Sequence, residues 1–552
     1  MQGVDNEKPR GFALWIRILK PEKNFYIVTF IYACAISLLS LAIPISIQAL
    51  VNTVTFAVLK QPLIIVSLLL LALLGFSGML RGLQDYAIEY FQRHFFARAT
   101  LEISQHIMNA KEESLQQVYR GDLINRFFEI DAVKKAVSKI LAEGVALVLQ
   151  TIVGMLLLAF YHPYFLAFDI VLAGLLALVW ILFGQKAMDS AIKESKAKYK
   201  VAAWLEQLTQ TNKLFKSLSG RAAAKKRTDG VISHYLEKRG IHFKYLFRQI
   251  IMLLGIYAFL SALILGLGGF LVMEGQLTLG QLVAAEIVVA VILSGFAKAG
   301  DYLESVYDVH ASLDKLADFI PIQTENPSGD IKLDPKEGNI VFDDVHFERA
   351  GSRYSYNQVF EVGKNYLITE DFDSTQRAFL ELINAEVQPR RGRILFGEYN
   401  ITNVCPYAWR DEIYIIDNPK IIEGSVEENL SWGIENYSEA QINEALDLVG
   451  LSELIGRLPE KTDTILWPEA GVLSVGEIIR LDLARAIMKK PSWVVISSVF
   501  YQVPTALQEK VLSALKDKGI GVLVWSAGIG TQSSSFDEAI SFSRNKIEGG
   551  SL

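Results

Sequence analysis

Six long apolar runs with few charges constrain this chain more than any other feature of its sequence. Each run is close to the roughly 20 residues that a helix needs to cross a bilayer core of about 30 Å. The runs cover residues 25–50, 61–80, 144–161, 170–184, 249–273 and 275–297. The sequence therefore predicts six membrane-spanning helices in an integral, multi-pass membrane protein that contacts the lipid bilayer.

The composition agrees with a protein that is largely in contact with lipid. Hydrophobic residues make up 51% of the 552 residues and charged residues only 21%, which is too apolar for a wholly soluble enzyme. A formal net charge of −6 gives no overall basic field, so nucleic acid is excluded as the main partner. The seven histidines show no spacing typical of a zinc cluster, so no metal site is predicted.

The distribution of Lys and Arg predicts how the spans are oriented. Basic residues are concentrated in the N-terminal arm and in segments 81–143 and 185–248, whereas the alternate connections have almost none beyond Lys60. Because basic loops remain cytoplasmic, both termini are predicted to be cytoplasmic, and we expect a prokaryotic inner (cytoplasmic) membrane. The two basic segments are helical in pattern, which predicts cytoplasmic extensions of the spans that fold back as hairpins.

The character of the chain changes after about residue 320. Three prolines and a glycine predict a linker over residues 321–336. Beyond it, short β-rich runs alternate with amphipathic helical patterns, which is typical of an α/β domain. The predicted strands are 339–342, 365–369, 393–396, 413–416, 493–497 and 522–525, and helical patterns lie at 375–385, 438–449, 475–488 and 505–516. We therefore predict a membrane domain over residues 1–320 and an α/β domain over residues 337–552.

Several motifs occur in a consistent order through both halves of the chain. They lie at 119–126 with Asp131, at 277–284, at 423–430, at 473–477 (Leu-Ser-Val-Gly-Glu) and at 484–486 (Ala-Arg-Ala). Through these motifs the chain resembles an ABC exporter half-transporter over nearly its whole length. The resemblance implies an all-α exporter-type domain of six spans, followed by an ABC nucleotide-binding domain of the P-loop NTPase type. It also implies that two such halves pair as a dimer.

The resemblance identifies where the residues of an ATP site would stand. A phosphate loop needs glycines so that its backbone can wrap the phosphates, a Lys for the β and γ oxygens, and a Ser or Thr for Mg²⁺. The aligned segment keeps none of the glycines, and its key positions are Glu370, Asp373, Thr375, Gln376 and Arg377. Gln376 stands at the Lys position, and Arg377 stands at that of the Mg²⁺-binding hydroxyl. Glu370 and Asp373 add negative charge where a polyanion would bind.

The remaining positions of the aligned ATP site also lack their catalytic groups. The metal-sensing Gln corresponds to Asp417, and the switch His corresponds to Ala527. Ser497 stands at the position of the metal-binding Asp, and Ser498 at that of the general-base Glu. Because no base is present to activate water, we expect a degenerate domain with no Mg-ATP bound in its own site and no ATPase activity from this chain alone.

Residues Ser474, Val475, Gly476 and Glu477 resemble the family's signature segment, which acts on nucleotide held by the other protomer. The segment precedes a helical pattern, and a helix N-terminus offers free N–H groups and a positive dipole end to phosphate. Val475 and Glu477 depart from the family's Gly and Gln. Two interpretations stay open: Ser474 and Gly476 contact the partner's nucleotide, or Ser474 only caps the helix that follows.

Two carboxylates are singled out by their position in, or at the beginning of, a predicted span. Glu286 is about midway along the sixth predicted span, and Asp169 is at the beginning of the fourth. Ionisable side chains inside a membrane are costly and usually face a cavity. Each is therefore a candidate for the substrate pathway, with a structural role as the alternative. The pathway is favoured for Glu286, and a structural group or a position near the membrane surface is favoured for Asp169.

Two functions from different classes follow from these observations. The first is a non-hydrolytic subunit of a heterodimeric ABC exporter, in which an intact half-transporter supplies the Mg-ATP site. This chain would supply half the translocation pathway and the signature segment, and the assembled complex would be an ATP-driven translocase. The second is a pseudo-transporter that acts as a membrane scaffold or regulatory protein, pairing with itself without ATPase activity. The transported substrate is not identified by the sequence.

Overall fold

The computed structural model describes residues 12–56, 60–116, 125–325, 333, 338–349, 352–370, 373–468, 472–526 and 535–542. The chain divides into two compact units, Met1–Thr324 and Glu325–Leu552. The boundary falls inside segment 321–336, where the composition predicts a linker. In the described residues the first unit is helical, and the second is built on β-sheets flanked by helices.

Several helices of the first unit are much longer than a bilayer is thick. Its α-helices are α1 (Phe12–Leu19), α2 (Lys23–Leu39), α3 (Ala42–Phe56), α4 (Lys60–Met108), α5 (Glu112–Gln116), α6 (Phe128–Lys139), α7 (Val145–Tyr161), α8 (Pro163–Val179), α9 (Gln185–Gln210), α10 (Leu218–Met273), α11 (Leu279–Ala297) and α12 (Ala299–Leu316). Two π-helical turns, Ile140–Gly144 and Trp180–Gly184, join α6 to α7 and α8 to α9. At about 1.5 Å per residue, the 56 residues of α10 extend over about 84 Å.

Five helical segments among the described residues are long and apolar enough to cross a membrane. They are Ala13–Thr53, Leu63–Met108, Phe128–Tyr161, Pro163–Gln210 and Leu218–Met273. The sixth predicted span corresponds to α11, whose apolar stretch Leu279–Ile292 is shorter, so a total of six spans stays a prediction. Apolar side chains on these helices are widely exposed, such as Leu71 at 70%, which suits contact with lipid or a partner.

The first span, predicted over residues 25–50, is interrupted by a short turn. The structure separates α2 from α3 at Ser40 and Leu41. Pro44 explains the break, because it has no N–H to donate to the Ser40 carbonyl and its ring would collide with that carbonyl in a continuous helix. At the break, the Ser40 hydroxyl donates to the main-chain O of Ser37 at 2.6 Å.

The basic segment 185–248 forms the helical hairpin that its pattern predicts. α9 and α10 are joined by the 3₁₀ turn Asn212–Lys216. Ser217 begins α10, because its hydroxyl accepts the N–H of Gly220 at 3.0 Å. In the other basic segment, α4 continues from the apolar run to Met108 without a break. Residues 117–124, which include most of the motif at 119–126, lie outside the described residues.

The second unit contains an antiparallel and a parallel sheet. Its strands are β1 (Ile340–Arg349), β2 (Ser352–Phe360), β3 (Asn365–Glu370), β4 (Arg391–Phe396), β5 (Tyr399–Asn400), β6 (Ile413–Ile416), β7 (Gly424–Ser425), β8 (Ile465–Leu466), β9 (Trp493–Ile496), β10 (Gly521–Trp525) and β11 (Glu538–Phe542). The antiparallel sheet has the order β2-β1-β4-β5, and the parallel sheet has the order β11-β3-β10-β9-β6. β7 and β8 form a separate antiparallel pair. All six predicted strands are present, whereas β2, β5, β7, β8 and β11 were not predicted.

Helices pack on the parallel sheet and fix its position in the core. They are α13 (Asp373–Ile383), α14 (Pro406–Glu412), α15 (Val426–Ser431), α16 (Glu439–Leu448), α17 (Ser452–Gly456), α18 (Val475–Lys489) and α19 (Thr505–Asp517). Every residue of β9 and β10 is buried, as expected for central strands covered on both faces. The ring of Phe379, on α13, lies 4.7 Å from that of Trp525, on β10. This contact holds α13 at the end of β3.

Candidate functional site

The candidate site lies where strands of the parallel sheet end. β3, β6, β9 and β10 run parallel, so their carboxyl ends share one edge of the sheet. Asp417 follows β6, Ser497 follows β9, and Gln376 is in the first turn of α13, the helix that follows β3. Open α/β sheets bind their ligands at this edge. The three residues therefore stand where a nucleotide would be held.

The connection from β3 to α13 is short. β3 ends at Glu370 and α13 begins at Asp373, so two residues lie between them. A phosphate loop needs a longer Gly-rich run ahead of the helix to arrange its N–H groups around phosphates. Here Thr375, Gln376 and Arg377 are already helical. The side chains of Glu370 and Asp373 lie outside the described part of the structure, so their effect on a polyanion stays a prediction.

Three of the aligned ATP-site positions meet at the sheet edge. Nε2 of Gln376 donates to Oδ1 of Asp417 at 3.5 Å, although the two residues are 41 positions apart. Oγ of Ser497 donates to the main-chain O of Asp417 at 3.4 Å. Both hydrogen bonds are long and therefore weak. We call Gln376, Asp417 and Ser497 the edge cluster; its one ionisable group is a carboxylate, so it offers no positive charge to a polyphosphate.

The two serines after β9 form part of a local turn. Ser497 has no exposed surface, and its hydroxyl also accepts the N–H of Val499 at 3.4 Å. Ser498 is half-buried and begins the 3₁₀ turn Ser498–Gln502. Neither hydroxyl can take a proton from water as a carboxylate does. Ala527, at the position of the switch His, lies outside the described residues.

Thr375 and Arg377 flank Gln376 but contact other parts of the unit. Nε of Arg377 donates to Oε1 of Glu381 at 3.3 Å, one turn further along α13. Glu381 also pairs with Arg349 at 2.6 Å. Thr375 is buried, and its hydroxyl has no hydrogen-bond partner among the described residues. Within that same part of the chain, no three His, Cys, Asp or Glu side chains are grouped so that they could hold a metal ion.

The signature segment is capped by its own glutamate. Oε2 of Glu477 accepts the backbone N–H of Ser474 at 2.7 Å and the Ser474 hydroxyl at 2.8 Å. The spacing Ser-x-x-Glu favours such a contact at the start of a helix, here α18. Val475 is exposed, and a Cβ on Gly476 would come within 3.1 Å of the Gln502 carbonyl oxygen. Ser474 therefore begins α18, as one of the two interpretations expects, while contact with a nucleotide stays a prediction.

A buried polar network fixes α18 against the rest of the unit. The Tyr414 hydroxyl donates to Oδ1 of Asp482 at 2.6 Å, and Arg485 donates to the same oxygen at 3.1 Å. Arg485 also donates to the main-chain O and to Oδ1 of Asn429. Burial raises the pKa of Asp482, whereas the Tyr414 hydrogen bond and Arg485 act to lower it. These roles were not predicted from the sequence, although Arg485 belongs to the Ala-Arg-Ala motif and Asn429 to the motif at 423–430.

The two carboxylates predicted as candidates for the substrate pathway are both partly or fully enclosed. Asp169, on α8, is 3% exposed, and neither of its carboxylate oxygens has a hydrogen-bond partner among the described residues. Glu286, on α11, is half-buried, and its Oε1 is also without a partner in that part of the structure. Asp169 is thus buried within the helical unit, and its depth in the membrane stays a prediction. A pathway role for either carboxylate stays a prediction.

Comparisons with known proteins relate the chain to ABC transporters. Residues 26–295 match the family model described as the ABC transporter transmembrane region. A solved structure of a bacterial Atm1-family ABC exporter with ATP bound has a TM-score of 0.79 to this chain at 17% identity, covering 95% of this chain and 93% of that one. The chain has the fold of an ABC exporter half-transporter. The predicted order, an all-α exporter-type membrane domain followed by an α/β domain, is confirmed.

Relatives of this half-transporter fold carry names that include both export and import. A putative export ATP-binding/permease protein of Rickettsia bellii is 23% identical over 496 residues, covering 87% of this chain and 84% of its own. A mycobactin import ATP-binding/permease protein of Mycolicibacterium thermoresistibile is 26% identical over 392 residues, covering 68% and 67%. An ATP-dependent lipid A-core flippase of Blochmanniella pennsylvanica is 22% identical over 444 residues, covering 76% and 74%. The similarity to each of them extends beyond the transmembrane region.

Proposed function

We propose that this chain is the non-hydrolytic subunit of a heterodimeric ABC exporter in a prokaryotic inner membrane. The observation that supports this function is the edge cluster. Its weakly bonded amide, carboxylate and hydroxyl stand where an ATP site would need a Lys, a metal-sensing Gln and a metal-binding Asp. The exporter fold around the cluster is complete enough to superpose on an ATP-bound relative. An intact half-transporter partner would therefore supply Mg-ATP binding and hydrolysis.

The charge at the sheet edge argues against tight Mg-ATP binding by this chain. The amide of Gln376 is bound to the Asp417 carboxylate, and like charges a few Å apart repel by about 1–4 kcal/mol at protein surfaces. A triphosphate approaching Asp417 would meet that repulsion without a Lys to offset it. Ser498 has no carboxylate to accept a proton from the attacking water. Both binding and chemistry are thus impaired at the same edge.

This chain would contribute to the partner's ATP site through its signature segment. α18 begins at Val475, so the N–H groups of Val475 and Gly476 have no carbonyl partner within the helix. Such a helix N-terminus is suited to a γ-phosphate. The Ser474 hydroxyl would have to leave Oε2 of Glu477 to donate to that phosphate. The signature segment is therefore present, but Glu477 weakens its binding to phosphate by competing for the Ser474 hydroxyl.

The same contact favours the second candidate function, a pseudo-transporter without ATPase activity. If Glu477 keeps Ser474 occupied in every state, the signature segment serves only to cap α18. The chain would then act as a membrane scaffold or regulatory protein, pairing with itself. The two candidates differ in whether a partner with an intact phosphate loop is bound in the membrane.

The experiment that tests the proposal is gentle extraction of the tagged chain from its native membrane. We expect one further half-transporter in equal amount, with both termini of this chain labelled only from the cytoplasmic side. We expect ATPase activity from that complex and none from the purified single chain. Turnover by the single chain that is lost when Gln376 or Ser498 is changed would contradict the proposal.

A further inference from the structure

Two adjoining cavities in the membrane domain differ sharply in chemistry. The first, of about 740 Å³, has walls of apolar side chains from α2, α7, α8, α10 and α12. The second, of about 460 Å³, is lined by Arg81, Asp85, Glu143 and Lys298. Leu147 and Tyr302 line both cavities, so the two share a wall. Each volume is within the range of about 300–1,000 Å³ that is typical of ligand sites.

The polar cavity is at one end of the apolar spans. Arg81, Glu143 and Lys298 each stand next to the end of a predicted apolar run. These runs are 61–80, 144–161 and 275–297. The apolar cavity extends along α7 from Val145 to Met155, which is about 15 Å at 1.5 Å per residue. The pair of cavities thus has a charged end at the boundary of the spans and an apolar end within them.

The charges of the polar cavity are balanced and largely unpaired. Glu143 accepts a hydrogen bond from the Tyr302 hydroxyl at 2.9 Å. The side chains of Arg81, Asp85 and Lys298 have no ion pair or hydrogen bond among the described residues. A purely basic pocket between spans favours anionic lipid headgroups. Two cations beside two carboxylates instead complement a headgroup that has both a phosphate and an ammonium.

The apolar cavity has a buried donor without an acceptor. Gln249 lines this cavity and has no exposed surface. Its Oε1 accepts the Tyr307 hydroxyl at 2.9 Å, whereas its Nε2 has no partner among the described residues. Buried donors are nearly always paired, so this N–H calls for an acceptor such as an ester carbonyl. The π-helical turns Ile140–Gly144 and Trp180–Gly184 also border the cavity, and such turns are frequent at functional sites.

We propose that the two cavities form one binding site for a zwitterionic glycerophospholipid. The acyl chains would occupy the apolar cavity, with an ester carbonyl accepting from Gln249. The phosphate would lie at Arg81 and Lys298, and the ammonium at Asp85 and Glu143. That this lipid is the transported substrate rests on the proposed function, whereas its binding does not.

The test uses the full chain in detergent and native mass spectrometry with two lipid probes. These are dioleoyl phosphatidylethanolamine, which is zwitterionic, and dioleoyl phosphatidylglycerol, which is anionic and has the same acyl chains. We expect the wild-type chain to bind the first at least tenfold more tightly than the second. Equal affinity for both, or preference for phosphatidylglycerol, overturns the proposal without any need for a variant.

Matched variants locate the bound lipid. Val148 lines the apolar cavity and is 58% exposed, while Leu156, two turns further along α7, is 57% exposed and is not among the described lining residues. Val148→Trp should reduce phosphatidylethanolamine binding at least tenfold, and Leu156→Trp less than twofold. If both changes reduced binding equally, the lipid would be bound non-specifically around the spans. That result would overturn the proposed site.

Charge variants test the headgroup assignment separately. Arg81→Glu should weaken phosphatidylethanolamine binding at least fivefold, whereas Arg93→Glu on the same helix, at a residue paired with Glu89, should leave it unchanged. If Arg81→Glu leaves phosphatidylethanolamine affinity unchanged, the proposed position of the headgroup is wrong. Since binding is measured without nucleotide or partner, failure here leaves the proposed role in a heterodimer untouched. If the heterodimer role fails while phosphatidylethanolamine still binds, the chain has a lipid site but does not transport the lipid.

Discussion

The edge cluster and the start of α18 lie in the same unit, yet their polar groups are bound very differently. In the edge cluster, Gln376, Asp417 and Ser497 are joined by hydrogen bonds of 3.4–3.5 Å. On α18, Asp482 accepts a hydrogen bond from Tyr414 of β6 at 2.6 Å, and Arg485 donates to Asn429 of α15 at 2.8 Å. Arg485 also donates to Asp482 at 3.1 Å. The edge cluster is therefore weakly bonded, whereas the groups that position α18 are tightly paired.

Under the proposed function, positioning and chemistry are separable in this fold. Central strands β9 and β10 and the network around Arg485 keep the sheet and α18 in place. The hydroxyl of Ser497 is hydrogen-bonded to the backbone of Asp417 and Val499. A domain of this kind would present a signature helix to a partner while having no ATP chemistry of its own.

The largest expected effect is on stability and concerns Arg485. Arg485→Ala removes the bonds to Asn429 and leaves the buried Asp482 carboxylate without its cation, which should destabilise the unit by about 3 kcal/mol. The matched control is Arg457→Ala, because Arg457 pairs with Glu453 at the surface and both side chains are more than three-quarters exposed. That change should cost about 0.5 kcal/mol or less. Chemical unfolding of both variants measures how much unfolding free energy each loses. Similar denaturation midpoints would contradict the claim that the Arg485 network is the more tightly paired.

The next effect concerns turnover of the assembled heterodimer. Ser474→Arg should lower its ATPase rate about a hundredfold, equivalent to roughly 2.7 kcal/mol, because the bulky side chain prevents closure on the γ-phosphate. Ser438→Arg is the control, since Ser438 begins α16 in a similar capping box with Gln441. It should lose comparable helix stability but retain turnover. Equal losses from both variants would assign Ser474 a structural role alone.

A smaller effect of opposite sign is expected at Glu477. Glu477→Gln keeps an oxygen that can accept from Ser474 but removes a negative charge from the start of α18, so phosphate should be bound better. We expect ATPase activity of the heterodimer to rise about threefold, or roughly 0.7 kcal/mol. Glu428→Gln makes the same change in the capping box of α15 and should have no effect. A fall in activity with Glu477→Gln would reverse the proposed role of the glutamate.

The smallest expected effect is at the edge cluster. Gln376→Lys should leave ATPase activity of the purified single chain at background, because the introduced ammonium would pair with Asp417 and the base would still be absent. Phosphate release measured at millimolar Mg-ATP tests this directly. A gain of turnover from this one change would mean that the edge retains more catalytic capacity than its side chains indicate.

Much of the fold could be predicted from periodicity and composition. Apolar runs with β-branched residues correctly located the central strands, because strands covered on both faces are uniformly apolar. The break between α2 and α3 was missed because the run is apolar throughout, although Pro44 is a signal for it. β2 was missed since its alternation of Ser, Arg and Tyr is less apolar than a core strand, while its inward side chains are nonetheless buried.

The candidate site was less predictable because its contacts join distant parts of the chain. The residues aligned to an ATP site could be identified by their order, but the hydrogen bond from Gln376 to Asp417 depends on how β3 and β6 are placed in the sheet. The capping of Ser474 by Glu477 is local, and its Ser-x-x-Glu spacing is readable from sequence. The network of Arg485 with Tyr414 and Asn429 spans up to 71 positions, so spacing alone gives no signal for it.

The central claim is that nucleotide in the assembled complex is held by the partner and touched by this chain only through its signature segment. Photolabelling of the complex with an azido-ATP analogue, followed by mapping of the labelled peptides, tests this most directly. The account predicts label on the partner's phosphate loop and on the peptide with Ser474 and Glu477, with none on the peptide with Gln376 and Arg377. Label on the Gln376 peptide, removed by excess ATP, would contradict it.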